Sequence, residues 1–511
     1  MPVLAQARQF LGRTLMSLGT GMLAERPRTQ IRVDATYEGA SQSRRMRGLF
    51  APRIGPNTGV VYALGTLRDR SRASNRNDGY SRAAVNRHVA NEVGTGIVPQ
   101  SQAEDAPFRE RLHQLFWDWC DQADADGQRD FYGLQALTDR GWKEGGEMFI
   151  RLRPRLPQDG LVVPLQLQLL EPELVPETYT TIGANGNPIR AGIEFTKIGQ
   201  RAAYWCWQQR PEQLDPFAAG AAMVRIPADQ ILHVYDPLRA GQLRGLPQLT
   251  QALVELFDIS GFKDATLQRQ KLANFLVGTM SPPLGDVQAD VDPISGKPIE
   301  QMNQDAVLGL EPGTLNEMPP GAMVNWSDPP AATGYGEFIR EQLMAAAVAA
   351  DVPYEVLTGD MRGINDRTVR VILQEFRRAV EQRQHHTLVF TMLRPIWNAF
   401  IDRAVLSGAL PVPTAYWEDP TPWKRVEWIP PAWPYLHPVQ DVDAYTGLRR
   451  AGLTSRARIV KLINSTDAEV IDQENAADEA REKALGLRYD YGGSAASRAP
   501  DPEPAPAGKE T

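Results

Sequence analysis

The sequence predicts an α+β protein in which a mixed region of helices and strands is followed by long helices. Between residues 147 and 235, short runs of alternating apolar and polar side chains are typical of half-buried strands. On both sides of this region, apolar residues recur every three or four positions, which is the spacing of one helix face. Proline and glycine, 40 and 42 residues in total, predict many loops and extended connections between these elements.

The N-terminal half divides into an irregular arm over residues 1–49 and an α+β domain over residues 50–246. Pro107 suits the first turn of a helix that places Phe108 and Leu112 on one face. Within the domain the spacing predicts helices over 64–91 with a break at 75–79, over 107–119 and over 130–144, and strands over 147–153, 165–170, 193–196, 203–207 and 231–235.

The C-terminal half is predicted to be mainly helical. We expect Asp366 to cap a helix over 367–406, which Pro395 should kink because proline removes a backbone hydrogen bond. The predicted segments are a helix within 247–277, an acidic insertion rich in proline and glycine over 278–333, a helix within 334–352, a loop over 353–366, the kinked helix with a Pro- and Trp-rich extension to 441, a helical region over 442–487, and a tail over 488–511 that is disordered by composition.

Composition indicates a folded chain of 511 residues, with 42% hydrophobic and 23% charged side chains. Its two cysteines, Cys120 and Cys206, cannot build a disulfide framework or a four-cysteine zinc site. The longest strongly apolar run, 344–350, is far shorter than the roughly 20 residues that span a bilayer. We therefore expect no membrane partner and no secretory leader, and favour an intracellular soluble protein or assembly subunit.

Positive charge is concentrated near the N-terminus, although the whole chain has a net charge of −7. Residues 1–90 contain fifteen arginines and five acidic residues. Such a block fits a nucleic-acid contact, an arm that docks on an acidic neighbouring subunit, or the arginine bias of a GC-rich genome, which we favour. The acidic total argues against a protein that coats DNA, because tight phosphate binding requires a basic surface.

Motifs for catalysis or cofactor binding are not apparent. The segment Ser295-Gly-Lys-Pro298 carries proline where a phosphate-binding loop requires Ser or Thr. His385 and His386 are adjacent and point to different helix faces, which makes a poor metal pair. We therefore predict no cofactor and no metal, and nothing in these motifs promotes an enzyme. Carboxylate pairs such as Glu171 and Glu173 leave a hydrolase open as a less favoured alternative.

Several motifs, in a specific order, resemble the lambda-type portal proteins of tailed phages. The resemblance covers about residues 30–490. It rests on Ala63-Leu-Gly-Thr-Leu-Arg-Asp-Arg-Ser-Arg-Ala-Ser-Asn-Arg-Asn-Asp-Gly-Tyr80, Asn91-Glu-Val-Gly-Thr-Gly96, Asp139-Arg-Gly-Trp-Lys-Glu-Gly-Gly-Glu147, Leu169-Leu-Glu-Pro-Glu-Leu174, Gly241-Gln-Leu-Arg-Gly-Leu-Pro247, Ala349-Ala-Asp-Val-Pro-Tyr-Glu-Val-Leu-Thr-Gly-Asp360, Glu427-Trp-Ile-Pro-Pro431 and Leu448-Arg-Arg-Ala-Gly-Leu-Thr454.

The resemblance implies a ring, typically of twelve subunits, at one vertex of the capsid, with an axial channel for double-stranded DNA. It implies as partners the terminase packaging motor, a head–tail adaptor, and the major capsid and scaffold proteins. The ring would be assembled in the host cytoplasm and retained in the virion. In the family's terms, the segments are a wing (50–246 and 367–441), two stem helices (247–277 and 334–352), a clip (278–333), a tunnel loop (353–366) and a helical crown (442–487).

The resemblance also suggests residues for each surface. The tunnel loop would bring Met361, Arg362, Ile364, Asn365 and Arg367 to the DNA channel, with Lys263, Arg269 and Lys271 of the first stem helix as further candidates. In the clip, Trp326, Glu311, Glu317 and Asp328 would meet the terminase or the adaptor. In the N-terminal block, Arg68, Arg70, Arg72 and Arg76 would contact the next subunit or the capsid shell.

Purely structural roles for these residues remain open beside the functional assignments. Arg367 can be a helix-surface residue paired within its own chain, Trp326 can pack within the clip, and the arginine block can be a solvated face. Two other functions also stay open beside the hydrolase: another capsid or connector subunit of a phage, and a nucleic-acid-binding regulator that uses the arginines of residues 44–87.

Overall fold

A computed structural model of the chain describes the residues on which the following account rests. The described residues are 44, 48, 52–208, 222–274, 278–281, 323–326, 334–433, 438–464 and 466–487. The chain divides into two units, residues 1–55 and 56–511, and the first is described only at 44, 48 and 52–55. Helices and sheets are both present in the second unit, which confirms the mixed α and β composition predicted from the sequence.

Helices make up most of the described structure. They are α1 (Pro56–Asn77), α2 (Gly79–Glu92), α3 (Ala106–Cys120), α4 (Phe131–Gly145), α5 (Leu253–Asn274), α6 (Tyr335–Ala349), α7 (Tyr354–Thr358), α8 (Asp366–Arg383), α9 (Arg394–Leu406), α10 (Thr414–Glu418), α11 (Pro438–Arg450), α12 (Arg456–Asn464) and α13 (Ala468–Leu485). A π-helical segment, Gln384–Leu393, joins α8 to α9.

In the part of the chain that the structure describes, the strands form four antiparallel sheets. They are β1 (Val98–Ser101), β2 (Met148–Pro154), β3 (Leu165–Leu170), β4 (Thr181–Ile182), β5 (Pro188–Arg190), β6 (Ile193–Phe195), β7 (Arg201–Trp207), β8 (Met223–Pro227), β9 (Ile231–Val234), β10 (Gly278–Ser281), β11 (Met323–Trp326) and β12 (Val426–Ile429). The sheet orders are β3-β2-β9, β4-β5-β6-β7-β8, β1-β12 and β10-β11. In the first sheet, Phe149 pairs with both Leu170 and His233, so β2 is the central strand.

Among the described residues, three apolar cores hold the second unit together. The first packs α3, α4, β2 and β3 against the π-helical segment and α9, and Phe116 lies edge-on to Phe131 and Phe400 at 5.4 and 5.1 Å. The second packs α2 against α5, α6 and α7 through small residues that include Ala346 and Ala347. The third fills the space between the two larger sheets around Phe149. Each core therefore combines segments that are far apart in the sequence.

Most predicted elements exist, but several boundaries differ. The helix predicted from 64 begins at Pro56, and the break predicted at 75–79 is reduced to Asp78, whose carboxylate accepts the Ser81 N–H at 2.7 Å. The first strand of the β1–β12 pair was not predicted. The helical region over 442–487 is divided into α11, α12 and α13.

The helix widens just before Pro395, and the kink expected at this proline stays a prediction. The Arg394 N–H bonds to the Val389 carbonyl, five residues back, which is the π-helical pattern. Pro395 then lies in the first turn of α9. The chain thus accommodates the proline by a change of helix type without ending the helical run.

Candidate functional site

The segment between α6 and α8 contains the residues predicted for a channel, and the structure shapes it into defined turns. The short helix α7 ends at Gly359, which has a φ of 72°, and Gly363 has a φ of 75°. Open space surrounds the position of a Cβ at both glycines, so backbone conformation accounts for them. Both glycines therefore serve left-handed turns.

Asp360 fixes the conformation of the turn. Its carboxylate accepts two hydrogen bonds from the Arg362 guanidinium, at 2.8 and 2.9 Å, and one from the Tyr354 hydroxyl at 2.9 Å. These bonds hold the pKa of Asp360 well below its usual range and raise the pKa of Arg362. Arg340 of α6 donates to the Arg362 carbonyl at 3.2 Å. The Arg362 side chain is 81% exposed, yet its charge is shared with Asp360.

The other predicted channel residues lie at the same turn and at the start of α8. Met361, Asn365 and Arg367 are exposed, and Ile364 is half-buried. Asn365 is the N-cap of α8, and its side chain accepts the Thr368 N–H at 2.9 Å. The cap predicted at Asp366 is therefore wrong by one residue.

Three cations were also proposed on the first stem helix. Lys263, Arg269 and Lys271 are all exposed on α5, and Lys263 Nζ lies 4.9 Å from the centre of the Tyr80 ring. Exposure is compatible with a channel position, and the channel assignment of these residues stays a prediction.

The predicted clip lies mostly outside the described residues. Glu311, Glu317 and Asp328 belong to that part. Trp326 ends β11, and its backbone pairs with Gly278 of β10. The clip assignments stay predictions.

The arginines predicted for a subunit interface fall into two groups. Arg70 and Arg76 are exposed on α1. Arg68 is 1% exposed, and its guanidinium donates to the Gly145 carbonyl and to Glu147, each at 3.1 Å. Burial lowers the pKa of Arg68. For Arg68, a bridge to a neighbouring subunit does not fit this structure, because the partners are acids of its own chain.

Arg72 also has its partners within the chain. It pairs with Glu173 and lies 4.0 Å from Glu171. The predicted interface is therefore left to Arg70 and Arg76. Arg72 thus contacts both carboxylates of the pair that kept a hydrolase open.

A buried charge network around Glu147 was not foreseen. Glu147 accepts hydrogen bonds from Arg244 Nε at 2.8 Å, His233 Nε2 at 2.9 Å and the Gly245 N–H at 3.0 Å. Burial alone would raise the pKa of Glu147, but Arg244 and His233 lower it well below its usual range. Both Glu147 and Arg244 lie in motifs that carried the family resemblance. Their separation of 97 residues left no local signal that they pair.

Two glycines allow these motifs to meet. Gly146 has a φ of 89°, and a Cβ there would lie 2.6 Å from the Leu246 carbonyl carbon. A Cβ on Gly245 would lie 1.9 Å from the Gly146 carbonyl oxygen. Neither position can carry a side chain without moving the backbone. The close crossing places the residues just before α5 against the end of α4.

A second buried network surrounds Glu92, at the end of α2. Its carboxylate lies 2.8 Å from Lys143 Nζ, 2.6 Å from Arg383 Nε and 3.2 Å from His88 Nδ1. Burial alone would raise the pKa of Glu92, but Lys143, His88 and Arg383 lower it well below its usual range. The nearby carboxyl of Asp139 has its pKa raised well above the usual range, by burial first and then by the charge of Glu92.

The structure offers little for catalysis or metal binding in the part of the chain that it describes. Burial raises the pKa of both cysteine thiols, Cys120 and Cys206, to about 12, so neither is a reactive thiolate at neutral pH. Among these residues, no cluster of three His, Cys, Asp or Glu side chains is placed to hold a metal ion. Within the same limits, no helix has the length and apolar character needed to cross a membrane.

Comparison with known proteins identifies the class of protein. The model of the family "Phage portal protein, lambda family" matches residues 42–384. The chain belongs to this family, and it is a phage portal subunit. This finding confirms the resemblance drawn from the motifs.

A curated relative agrees with the family match. The "Probable portal protein" of Halomonas phage phiHAP-1 is 25% identical over 448 residues, which cover 84% of this chain and 82% of that protein.

Among solved structures, the chain is similar to the neck of an empty GTA particle computed with C6 symmetry. The TM-score is 0.43 at 15% identity, over 80% of this chain and 94% of that one. It is also similar to the neck of a native GTA particle computed with C12 symmetry, with a TM-score of 0.40 at 14% identity, over 81% and 95% of the two chains.

Proposed function

We propose that copies of this chain close into a ring, typically of twelve, at one vertex of a phage capsid, and that double-stranded DNA passes along the ring axis during packaging and ejection. The observation that carries the proposal is the family match over residues 42–384. Within that range, the exposed turn at 359–367 is the element that we assign to the channel wall.

The chemistry of the turn suits passage of DNA without tight binding. Each phosphate that a cation neutralises adds salt-sensitive affinity, so a channel lined with strong cation sites would hold the duplex in place. Arg362 is already bound by Asp360 through two hydrogen bonds, and a phosphate must compete with that carboxylate. Met361 offers the phosphate no hydrogen-bond donor. Brief contact, followed by return of Arg362 to Asp360, is the expected behaviour.

Exposed apolar side chains on the two proposed stem helices support self-association. Phe257 on α5 and Val348 on α6 are 78% and 81% exposed. Others on the same helices are Val254, Phe262, Leu267 and Phe338. A monomer that exposed so many large apolar groups on one pair of packed helices would be prone to associate, and a ring covers them by heterologous contact with the next copy.

The remaining assignments follow from membership of the family. We assign the segment 278–333 to contact with the terminase and then with the head–tail adaptor, and Arg70 and Arg76 to subunit or capsid contact. The major capsid and scaffold proteins complete the partners. The ring is assembled in the host cytoplasm and stays in the virion. Its role is structural, and the packaging motor is a separate protein.

The channel assignment is tested by the double variant Arg362→Glu with Gly363→Pro. Glutamate reverses the charge at the turn, and proline cannot adopt the φ of 75° that Gly363 has. We expect rings of normal symmetry by electron microscopy, but particles with less nuclease-protected DNA. The matched control is Arg378→Glu, because Arg378 is also exposed and pairs with Glu375 on α8.

Two results would contradict the proposal. Wild-type amounts of protected DNA in the double variant would remove the turn from the channel wall. Failure of the wild-type chain to form closed rings with an axial opening would remove the ring itself.

A further inference from the structure

The segment from Ala350 to Arg383 begins and ends beside the buried pair of His88 and Glu92. At its start, the Ala350 carbonyl accepts a hydrogen bond from His88 Nε2 at 2.9 Å, and the other nitrogen of that ring lies 3.2 Å from Glu92. At its end, Arg383 Nε donates to Glu92 at 2.6 Å. Between these points lie α7, the exposed turn and the whole of α8. The end of the proposed channel element is therefore attached to Glu92 directly, and its start is attached through His88.

Asp351 provides a second link between the start and the end of this segment. The guanidinium of Arg383 bonds to the Asp351 carboxylate, so the end of α8 is tied directly to the residue that follows Ala350. Asp351 has a φ of 58°, a left-handed conformation that is uncommon for a residue other than glycine. This backbone conformation directs the chain out of α6 and into α7. The pair with Arg383 holds that conformation in place.

Glu92 is in turn fixed to the body of the protein. Lys143 of α4 lies 2.8 Å from the second oxygen of Glu92, and the Gln384 side chain donates to the Glu92 carbonyl at 2.7 Å. The side chains of Glu92, Lys143 and His88 are fully buried. Burial and the charge of Glu92 raise the pKa of Asp139 well above its usual range, and the Glu92 carboxylate has Lys143, Arg383 and His88 within 3.2 Å. A buried charge so fully paired strongly disfavours rearrangement.

We propose that Glu92 is the positioning residue of the exposed turn at 359–365, and that it holds this turn and α8 as one unit at a set place relative to α2 and α4. The inference rests on the proposed function only in taking the turn as the part that faces DNA. The unit has two attachments, one at Ala350–Asp351 and one at Arg383. Release of either attachment should loosen the turn, since the other then acts as a hinge.

Hydrogen exchange on the assembled protein, without DNA, tests the proposal. The probes are two peptides read by mass spectrometry. One covers residues 350–369, which contain the bonded amides of Gly359 and Val369. The other covers strand β2, Met148–Pro154. The variants are Glu92→Gln and Asp351→Asn; asparagine tolerates the left-handed conformation as aspartate does, so the second variant removes only the charge.

The control variant is Glu147→Gln. Glu147 is as buried as Glu92 and is also bonded to guanidinium groups and an imidazole, but its partners belong to α1, β9 and the segment before α5. We expect Glu92→Gln to speed exchange in residues 350–369 by about tenfold, which corresponds to roughly 1.4 kcal/mol of local opening free energy. Asp351→Asn, at a carboxylate that is 55% exposed, should speed it by about threefold. Exchange in β2 should be unchanged in both variants. Glu147→Gln should speed exchange in β2 and leave exchange in residues 350–369 unchanged.

Each outcome decides the inference. Unchanged exchange in 350–369 for Asp351→Asn overturns it, even if Glu92→Gln fails to fold. The inference is also overturned if Glu147→Gln speeds exchange in residues 350–369 as much as Glu92→Gln does, because the faster exchange would then reflect a general loss of stability. The readout uses no DNA, so its failure leaves the proposed channel function standing. Loss of packaging in the Arg362 and Gly363 variant tests that function separately.

Discussion

Lowering the pH from 7.5 to 5.5 is expected to destabilise the protein through His233. The two ring nitrogens of His233 have different partners: Nε2 donates to Glu147 at 2.9 Å, and Nδ1 accepts from Arg201 Nη1 at 2.9 Å. The ring is stacked between Phe149 and Tyr235, each with its ring centre 4.3 Å away. A second proton on Nδ1 would face the Arg201 guanidinium, so the structure accepts only the neutral ring.

Burial, aided by the charges of Arg201 and Arg244, lowers the pKa of His233 to about 4. In the unfolded chain the pKa of histidine is about 6.5. Because the folded-state pKa is the lower one, the unfolded state binds the proton more tightly, and stability is lost as the pH falls below 6.5. For these two pKa values, the loss at pH 5.5 is about 1.4 kcal/mol.

The assay compares urea unfolding of the wild type and of His233→Gln at pH 7.5 and pH 5.5, at one protein concentration. Glutamine can donate to Glu147 and accept from Arg201, but it does not titrate. Other groups titrate in both proteins, so the difference between them isolates His233. We expect the variant to lose about 1.4 kcal/mol less than the wild type between the two pH values. Equal losses in the two proteins would refute the reasoning.

Two further predictions concern the region where α4 meets the segment before α5. Glu147→Gln should lower the free energy of unfolding by about 3–5 kcal/mol, because buried guanidinium groups lose their anion. In the same urea titration, Glu173→Gln should cost about 1 kcal/mol or less, because the Glu173 carboxylate is 17% exposed. Gly146→Ala should cost about 2–5 kcal/mol from the clash and the backbone strain together. Gly160→Ala, with a φ of 73° and open space, should cost only about 1–2 kcal/mol. Similar costs for the two alanine variants would show that the backbone crossing relaxes freely.

Local periodicity in the sequence was enough to predict several elements. Strand β3 was predicted at 165–170 and spans Leu165–Leu170, and α3 and α4 differ from their predicted bounds by one residue at each end. Alternation and helical spacing succeed here because each element has one face in the core and one in water. The order of the motifs likewise identified the family, which the match over residues 42–384 confirms.

Tertiary structure decided which distant segments meet. Strand β1 pairs with β12 more than three hundred residues later, with Val98 opposite Ile429, and neither strand has a neighbour in sequence that reveals the other. Tertiary structure also decided the contacts of the turn at 359–365. The residues of this turn could be read from the sequence, but the pairing of Arg362 with Asp360 and the attachment of Arg383 to Glu92 could not.

The arginines of α1 show most clearly what the sequence alone does not determine. By sequence, Arg68, Arg70, Arg72 and Arg76 form one basic block on a helix, and all four were taken as surface groups. Folding buries Arg68 against Glu147 and leaves Arg70 exposed. Hydrophobic periodicity reports the average environment of a helix face, because burial of apolar area depends little on which partner covers it. A charged group is stable in the interior only beside a particular opposite charge, and the position of that charge is known only when the chain is folded.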